Sequence, residues 1–498
     1  MAENAGFFLD LFLHTLSYWW VILPTVFLGL IVGAIPGFSA ANTIIILMPL
    51  TLAMEVETGL IFMVTLYSAS RMGAGIPAIL VNIPGTAGAA ATPLDGYPMT
   101  QKGEAGKAIG AAVICSAFGG TCSVLLMMLA TPLLAEVAVV YVGPPEIFAL
   151  VFFGIAVASS VGAKTLWKGW LSVGLGLMIA TVGLDPVAGI ERYNFDYVYL
   201  MAGLHFIPII LGFFAVSEVF VQAEKRVRGI YDMPKFATGF PSVAEFWKLR
   251  VAVARSVGLG FFAGILPGIG ATLAAFLSYN EAVRWSKTPE KFGRGELEGV
   301  VASETANNAA TGAAMIPLLA LGLPGGALTA MMVGVFQMHD IEPGPLVFIN
   351  SSDLVWVVFA AMFYANIAIL VLGFLETKTV LHLLKIPFQY LAPAILLLST
   401  IGAYAVRGLP MDVLVMFVAG LLAYLLRRTG YSVAGIILGL ILGKLGEENF
   451  AQAMQMVSYD MWVFISRPIV AVLLFAGFAT IVANLIRALR GLLKGVEL

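Results

Sequence analysis

Charge is what this sequence has least of. Asp, Glu, Lys and Arg make up 11% of its 498 residues, against 60% hydrophobic residues, and the mean hydropathy is +0.96. Ordinary soluble domains are nearer a quarter charged, so no soluble domain fits. The formal net charge of −2 indicates no nucleic-acid partner. Cysteine is scarce too: Cys115 and Cys122 lie seven residues apart in an apolar run. That spacing puts them on one helix face, too far apart for a local disulfide, and core packing is their expected role. The four histidines have no metal-ligand spacing. No GxxxxGK[ST] loop and no GxSxG motif occurs, which removes ATP as a driver and leaves no visible catalytic constellation. The expectation is a protein that is no enzyme and needs no cofactor. The first residues lack a basic region, so a cleavable signal peptide is not expected. β-barrel alternation is missing as well, which leaves helical spans. At about 20 residues per crossing there is room for roughly 10 to 14 of them.

What charge there is has a pattern. No Lys or Arg precedes Arg71, whereas Lys225, Arg226, Arg228, Lys235, Lys248, Arg250 and Arg255 crowd one stretch. Arg284, Lys287, Lys291 and Arg294 follow, and Arg487, Arg490 and Lys494 lie near the end. The positive-inside rule makes these regions cytoplasmic and places the N-terminus outside. The basic connector, 223–256, divides the chain into a first membrane repeat, 1–222, and a second, 257–498. LGLIVGAIPGFSA (28–40) matches LGFFAGILPGIGA (259–271), and IPAILVNIPGTA (76–87) matches IPLLALGLPGGA (316–327) in the same order. If one half starts outside and the other inside, the repeats are inverted, as in secondary transporters with a site at the repeat interface.

Each matched segment centres on Pro-Gly: Pro36-Gly37, Pro84-Gly85, Pro267-Gly268 and Pro324-Gly325. Proline ends one helix and suits the start of the next. Glycine permits a sharp turn and lets backbone approach a ligand. Broken backbone at membrane depth survives inside protein or beside a water-filled cavity. The four breaks therefore read as opposed ligand-binding tips. Gly37, Gly85, Gly268 and Gly325 allow close approach, and Ser39, Asn42, Asn82, Thr86, Asn307 and Asn308 are candidate substrate contacts. Asn42, Thr43, Thr272, Asn308 and Thr329 are candidates for holding Na⁺. The plainer alternative for these polar residues is helix–helix adhesion. Arg71, inside an apolar run, is expensive in lipid and has the fork geometry for a carboxylate. Snorkelling or pairing with Glu304 are its alternatives. Asp95 reads as a loop turn residue.

Three stretches carry a resemblance: IPAILVNIPGTAGAAATPLDGYPMTQKGEAGKAIG, GILPGIGATLAAFLSY, and SETANNAATGAAMIPLLALGLPGGALTAMMVGVF followed by IEPGPLVF. With them the chain resembles the large membrane subunit of the tripartite tricarboxylate transporters over most of its length. The resemblance implies an ion-driven importer of organic carboxylates in the bacterial inner membrane, with Na⁺ or H⁺ as coupling ion. It implies two partners, a small membrane subunit and a periplasmic substrate-binding protein. By analogy it implies an all-α polytopic fold with re-entrant hairpins and elevator-like movement. One departure stands out: Gly75 occupies a position where the family pattern has Arg or Ser, and Arg71 lies one helical turn earlier. Citrate, a dicarboxylate and an aromatic carboxylate are all open as substrate. A carboxylate channel, an exporter and an intramembrane enzyme are the competing classes.

Overall fold

The computed structural model describes residues 2–35, 40–159, 165–185, 187, 189–225, 240–266, 270–383 and 388–493. Among the described residues the fold is all-α apart from two short antiparallel strands, Gly183–Leu184 and Glu191–Arg192. Among them six helices are long and apolar enough to cross a bilayer, seven if the bent pair Leu9–Ser17 and Trp19–Gly33 is one span. Five shorter apolar helices accompany them. This is a polytopic helical membrane protein. The number of long spans among the described residues is below the 10 to 14 expected, for a local reason. Segments such as Leu297–Ala313 are diluted by Ser303, Glu304, Thr305, Asn307 and Asn308, and others are cut in two at their Pro-Gly breaks.

The sequence repeat is also a repeat of structure. In the first half, Val56–Gly73 kinks at Ala74 into the short Gly75–Val81 helix, which ends on Asn82 in the left-handed conformation (φ 58°). In the second, Leu297–Ala313 kinks at Ala314 into Met315–Leu321, which ends on left-handed Gly322 (φ 73°). Ile83 N–H returns to Pro77 O at 3.3 Å, and Leu323 N–H returns to Pro317 O at 3.1 Å. Both are left-handed helix ends of the kind glycine and asparagine tolerate. A helix packs beside each hairpin through matched glycines. Gly29 and Gly33 of Trp19–Gly33 lie against Leu66, Ala69 and Ser70. Gly260 and Gly264 of Val243–Ile265 lie against Ala306, Ala309 and Ala310. Small residues at a crossing let backbones close to contact, the usual basis of helix association in lipid.

Burial is graded across this arrangement. The Val56–Val81 span is 94% buried, whereas Pro468–Ile486 is 17% buried. The hairpins therefore form a protein-lined centre, and the C-terminal helix presents an apolar outer face with exposed Val472, Phe475 and Phe478. Ala105–Tyr141 runs 37 residues, about 56 Å at 1.5 Å per residue, longer than the ~30 Å hydrocarbon layer. It lies between the hairpins and the Ser352–Leu383 helix. Both cysteines lie on it and both are free. The Val433–Met456 helix packs against Pro144–Ala158 and Leu166–Ala180, with Gly176 and Gly439 at a close crossing. At the start of Val243–Ile265, Glu245 caps Ser242 and pairs with Lys107. Its carboxyl is held down at about 2, first by the Lys107 hydrogen bond and then by the Ser242 N–H. Part of the basic connector, 226–239, lies outside the described residues.

Candidate functional site

A cavity of about 230 Å³ is lined by described residues that follow each of the four breaks in the sequence. Ala41 follows the first break, Thr86 and Gly88 the second, Gly270 and Thr272 the third, and Gly325 and Thr329 the fourth; all of them line it. Its size is below the ~300–1,000 Å³ of drug-sized ligand pockets, which fits a small metabolite. The walls are shaped by helix restarts. Gly85 N–H bonds back to the kink residue Ala74 at 3.1 Å, folding the first tip over its own hairpin. At the second tip, Gly326 N–H donates to Thr329 Oγ1 at 2.9 Å.

Arg71 is the one charged residue on this wall among the described residues. It is 7% exposed. Its Nη1 reaches Asn307 Oδ1 and its Nη2 reaches the Tyr67 hydroxyl, each at 3.5 Å, which is long for a hydrogen bond. The guanidinium stands over the Tyr67 ring, 5.4 Å from its centroid, and its Nε has no hydrogen-bond partner. No carboxylate lies within ion-pair distance of it among the described residues, so the expected alternative of pairing with Glu304 is not made. Thr86 Oγ1 and Asn307 Nδ2 are likewise buried without a hydrogen-bond partner. A buried cation without counter-charge costs several kcal/mol, and unpaired buried polar atoms cost roughly 1–3 kcal/mol each. Arg71 and Thr86 lie on the wall of this cavity, and Asn307 accepts from Arg71 beside it. The tip residues outside the described set (Pro36 to Ser39, and Pro267 to Ile269) carry no charged side chain.

The other candidates fall into three groups. Gly85 is packed against Gly33 O and Ala74, behind the cavity. Asn82 is a helix terminus, and Asn42 and Thr43 are buried in Ala40–Leu47 beside cavity-lining Ala41. Asn308 faces away from the cavity: its Nδ2 donates to Ser116 Oγ at 2.8 Å and to Glu304 Oε2 at 3.4 Å. Gly37, Ser39 and Gly268 lie outside the described residues.

Three features depart from the sequence-based reading. Ala434, Gly435 and Leu438 close the cavity from the far C-terminal part, in an apolar stretch without marker residues. Glu304, fully buried, accepts hydrogen bonds from Thr92 Oγ1 (2.5 Å) and Ser116 Oγ (3.2 Å). Asp95 is not a loop turn residue. It lies in the Pro93–Gln101 helix, and its Oδ1 accepts from the N–H groups of Gly295 and Glu296, each at 2.8 Å. Its Oδ2 accepts from the Tyr279 hydroxyl at 2.9 Å. Asp95 thus caps, from the first hairpin, the start of the helix that carries Glu304 and Asn307.

Comparison with known proteins identifies the family. Residues 20–438 match the Tripartite tricarboxylate transporter TctA family. The chain is 37% identical over 465 residues to an uncharacterized 52.8 kDa protein in the TAR-I ttuC' 3' region of Agrobacterium vitis, covering 93% of this chain and 92% of that protein. It is 38% identical over 231 residues to an uncharacterized protein in the TAR-II ttuC' 3' region of the same organism, covering 46% of this chain and 96% of that one. No solved structure matches significantly. The chain belongs to the tripartite tricarboxylate transporter TctA family.

Proposed function

We propose that this family member is the translocating subunit of an ion-gradient-driven importer of small organic carboxylates in the bacterial inner membrane. In this reading a periplasmic binding protein delivers the substrate, and a small membrane subunit completes the complex. The observation that carries it is Arg71, buried in the wall of a small cavity, with no carboxylate within ion-pair distance among the described residues. A substrate carboxylate supplies that charge and takes up the guanidinium fork. Thr86 Oγ1, buried without a partner on the same wall, can bond the same ligand. The matched hairpins support inverted repeats that move relative to the rest of the chain, the arrangement that alternating access requires. The basic segment 223–256 sets the cytoplasmic side in this scheme.

The test is binding of radiolabelled citrate, succinate and benzoate to the purified membrane complex, beside uptake into proteoliposomes with the loaded binding protein. At least one carboxylate should bind and be taken up, and Arg71→Ala should remove both properties. Wild-type binding and uptake by Arg71→Ala overturns the assignment of this cavity.

A further inference from the structure

Glu304 and Arg71 are opposite charges on either side of one amide. Arg71 Nη1 reaches Asn307 Oδ1 at 3.5 Å, and Glu304 lies three residues before Asn307, one turn along the same helix. Glu304 is fully buried, and its partners are all neutral: Thr92, Ser116 and Asn308. Cys115 faces Glu304 from Ala105–Tyr141. Tyr67 and Arg71 stand beyond Asn307 on Val56–Gly73. Asp95 and Tyr279 are bonded to each other near the helix start. Arg255, from Val243–Ile265, lies 3.7 Å from Glu298. Among the described residues none forms an ion pair with Glu304. The centre of the protein thus holds one cation open to a cavity and one carboxylate sealed off from it.

We infer that Glu304 is the coupling site: binding of a substrate anion to Arg71 drives uptake of one proton by the Glu304 carboxylate. Without substrate, Arg71 has no ion pair and Glu304 is surrounded by neutral partners. An anion on Arg71 brings a second negative charge towards Glu304, which makes the ionised, buried carboxylate costlier still. A hydronium ion of the solution then gives its proton to a carboxylate oxygen: one O–H bond of the hydronium breaks, leaving water, and one carboxylic O–H bond forms. The reverse transfer occurs when the anion departs. The two binding events are linked, so each strengthens the other by the same factor.

A proton fits this site better than a metal ion. The carboxylate oxygens are already occupied by Thr92, Ser116 and Asn308, and Gly75 backbone stands so near that a Cβ there would lie 2.8 Å from Oε1. Glu304 does not line the cavity. Among the described residues no cluster of three His, Cys, Asp or Glu side chains occurs.

This inference rests on the carboxylate-transport reading, and its test separates the two. Citrate, succinate and benzoate are added in turn to the wild-type membrane complex in weakly buffered, Na⁺-free solution, and both bound anion and solution pH are followed. The expected result is about one proton taken up per anion bound, with affinity falling roughly tenfold per pH unit once Glu304 stays ionised in the free protein. Anion binding without proton uptake, or binding that requires Na⁺, overturns the role of Glu304 and leaves the transport reading intact. Absence of binding by all three overturns both. Glu304→Gln, which imitates the protonated state, is checked for folding by size-exclusion chromatography. It should keep substrate exchange between two loaded compartments and lose accumulation driven by a pH gradient. Accumulation at the wild-type level overturns the inference. If the variant does not fold, the proton count on the wild-type complex decides.

Discussion

Gly88 lies so close to Asn307 that a methyl group at position 88 would overlap the Asn307 side-chain oxygen. The tip of the first hairpin therefore closes on the polar helix of the second repeat with no side chain between them. The contact fixes the amide that reaches Arg71. Gly88→Ala should displace Asn307 and lower carboxylate affinity by at least tenfold, with modest loss of expression, as measured by equilibrium binding. Gly174, in the Leu166–Ala180 helix, has nothing within 4 Å of an added Cβ. Gly174→Ala should raise stability by about 0.5–1 kcal/mol through helix propensity and serves as the control. Wild-type affinity in Gly88→Ala would show that the contact is dispensable.

Arg71 is expected to act through its shape as well as its charge. Arg71→Lys keeps the cation and loses the two-pronged fork, so affinity should fall by roughly 10- to 100-fold, on the scale of about 1.5–3 kcal/mol for a charge-assisted bond. Arg71→Met, which removes the buried cation, should abolish binding while leaving the melting temperature equal or higher, because an uncompensated charge has been taken out of the interior. A melting temperature several degrees lower in Arg71→Met would mean that the arginine holds the fold together.

Asp95 ties the first hairpin to the second repeat. Asp95→Ala removes the acceptor for three donors, two of them at a helix start. Loss of a cap costs about 0.5–2 kcal/mol, and the stranded Tyr279 hydroxyl adds to that. The expected outcome is a lower melting temperature and reduced uptake, with affinity in the surviving folded fraction near wild type. Unchanged thermal stability would refute the capping role.

The two breaks should respond differently to a methyl group. At Gly85 an added Cβ would lie 2.6 Å from Gly33 O and 2.9 Å from the Ala74 backbone, whereas at Gly325 the nearest atom, Ala314 O, is 3.0 Å away. Gly85→Ala should therefore lose folded protein, and Gly325→Ala, whose position lines the cavity, should stay folded but bind more weakly. Fluorescence-detected size-exclusion chromatography paired with binding measures both. Equal folded yields for the two would contradict the packing difference.

Partner dependence belongs to the proposed function and can be tested directly. In liposomes containing both membrane subunits, uptake should need the loaded binding protein and an ion gradient, and internal ATP should add nothing. Import at full rate by this chain alone, or import surviving collapse of both Na⁺ and H⁺ gradients, would count against the scheme.

The sequence by itself determined the membrane class, the repeat and the places where the helices break. Composition decides the solvent, and Pro-Gly acts on its own few residues: Pro84 and Pro324 sit in matching turns because proline and glycine restrict or free the backbone locally. It also singled out Arg71, since a guanidinium in an apolar run is conspicuous wherever the helix packs. Only the tertiary structure decided what the polar residues do. Asn307 and Asn308 are neighbours of identical chemistry, yet one reaches Arg71 and the other Ser116 and Glu304. About 100° of helix rotation per residue separates them, and which direction meets the cavity depends on how the Val56–Gly73 and Ala105–Tyr141 helices cross this one. The same holds for Asp95, whose three donors come from some two hundred residues away, and for Ala434 and Gly435, which close the cavity with no distinguishing chemistry. Long-range contact is set by the packing of whole helices, and no local pattern encodes it.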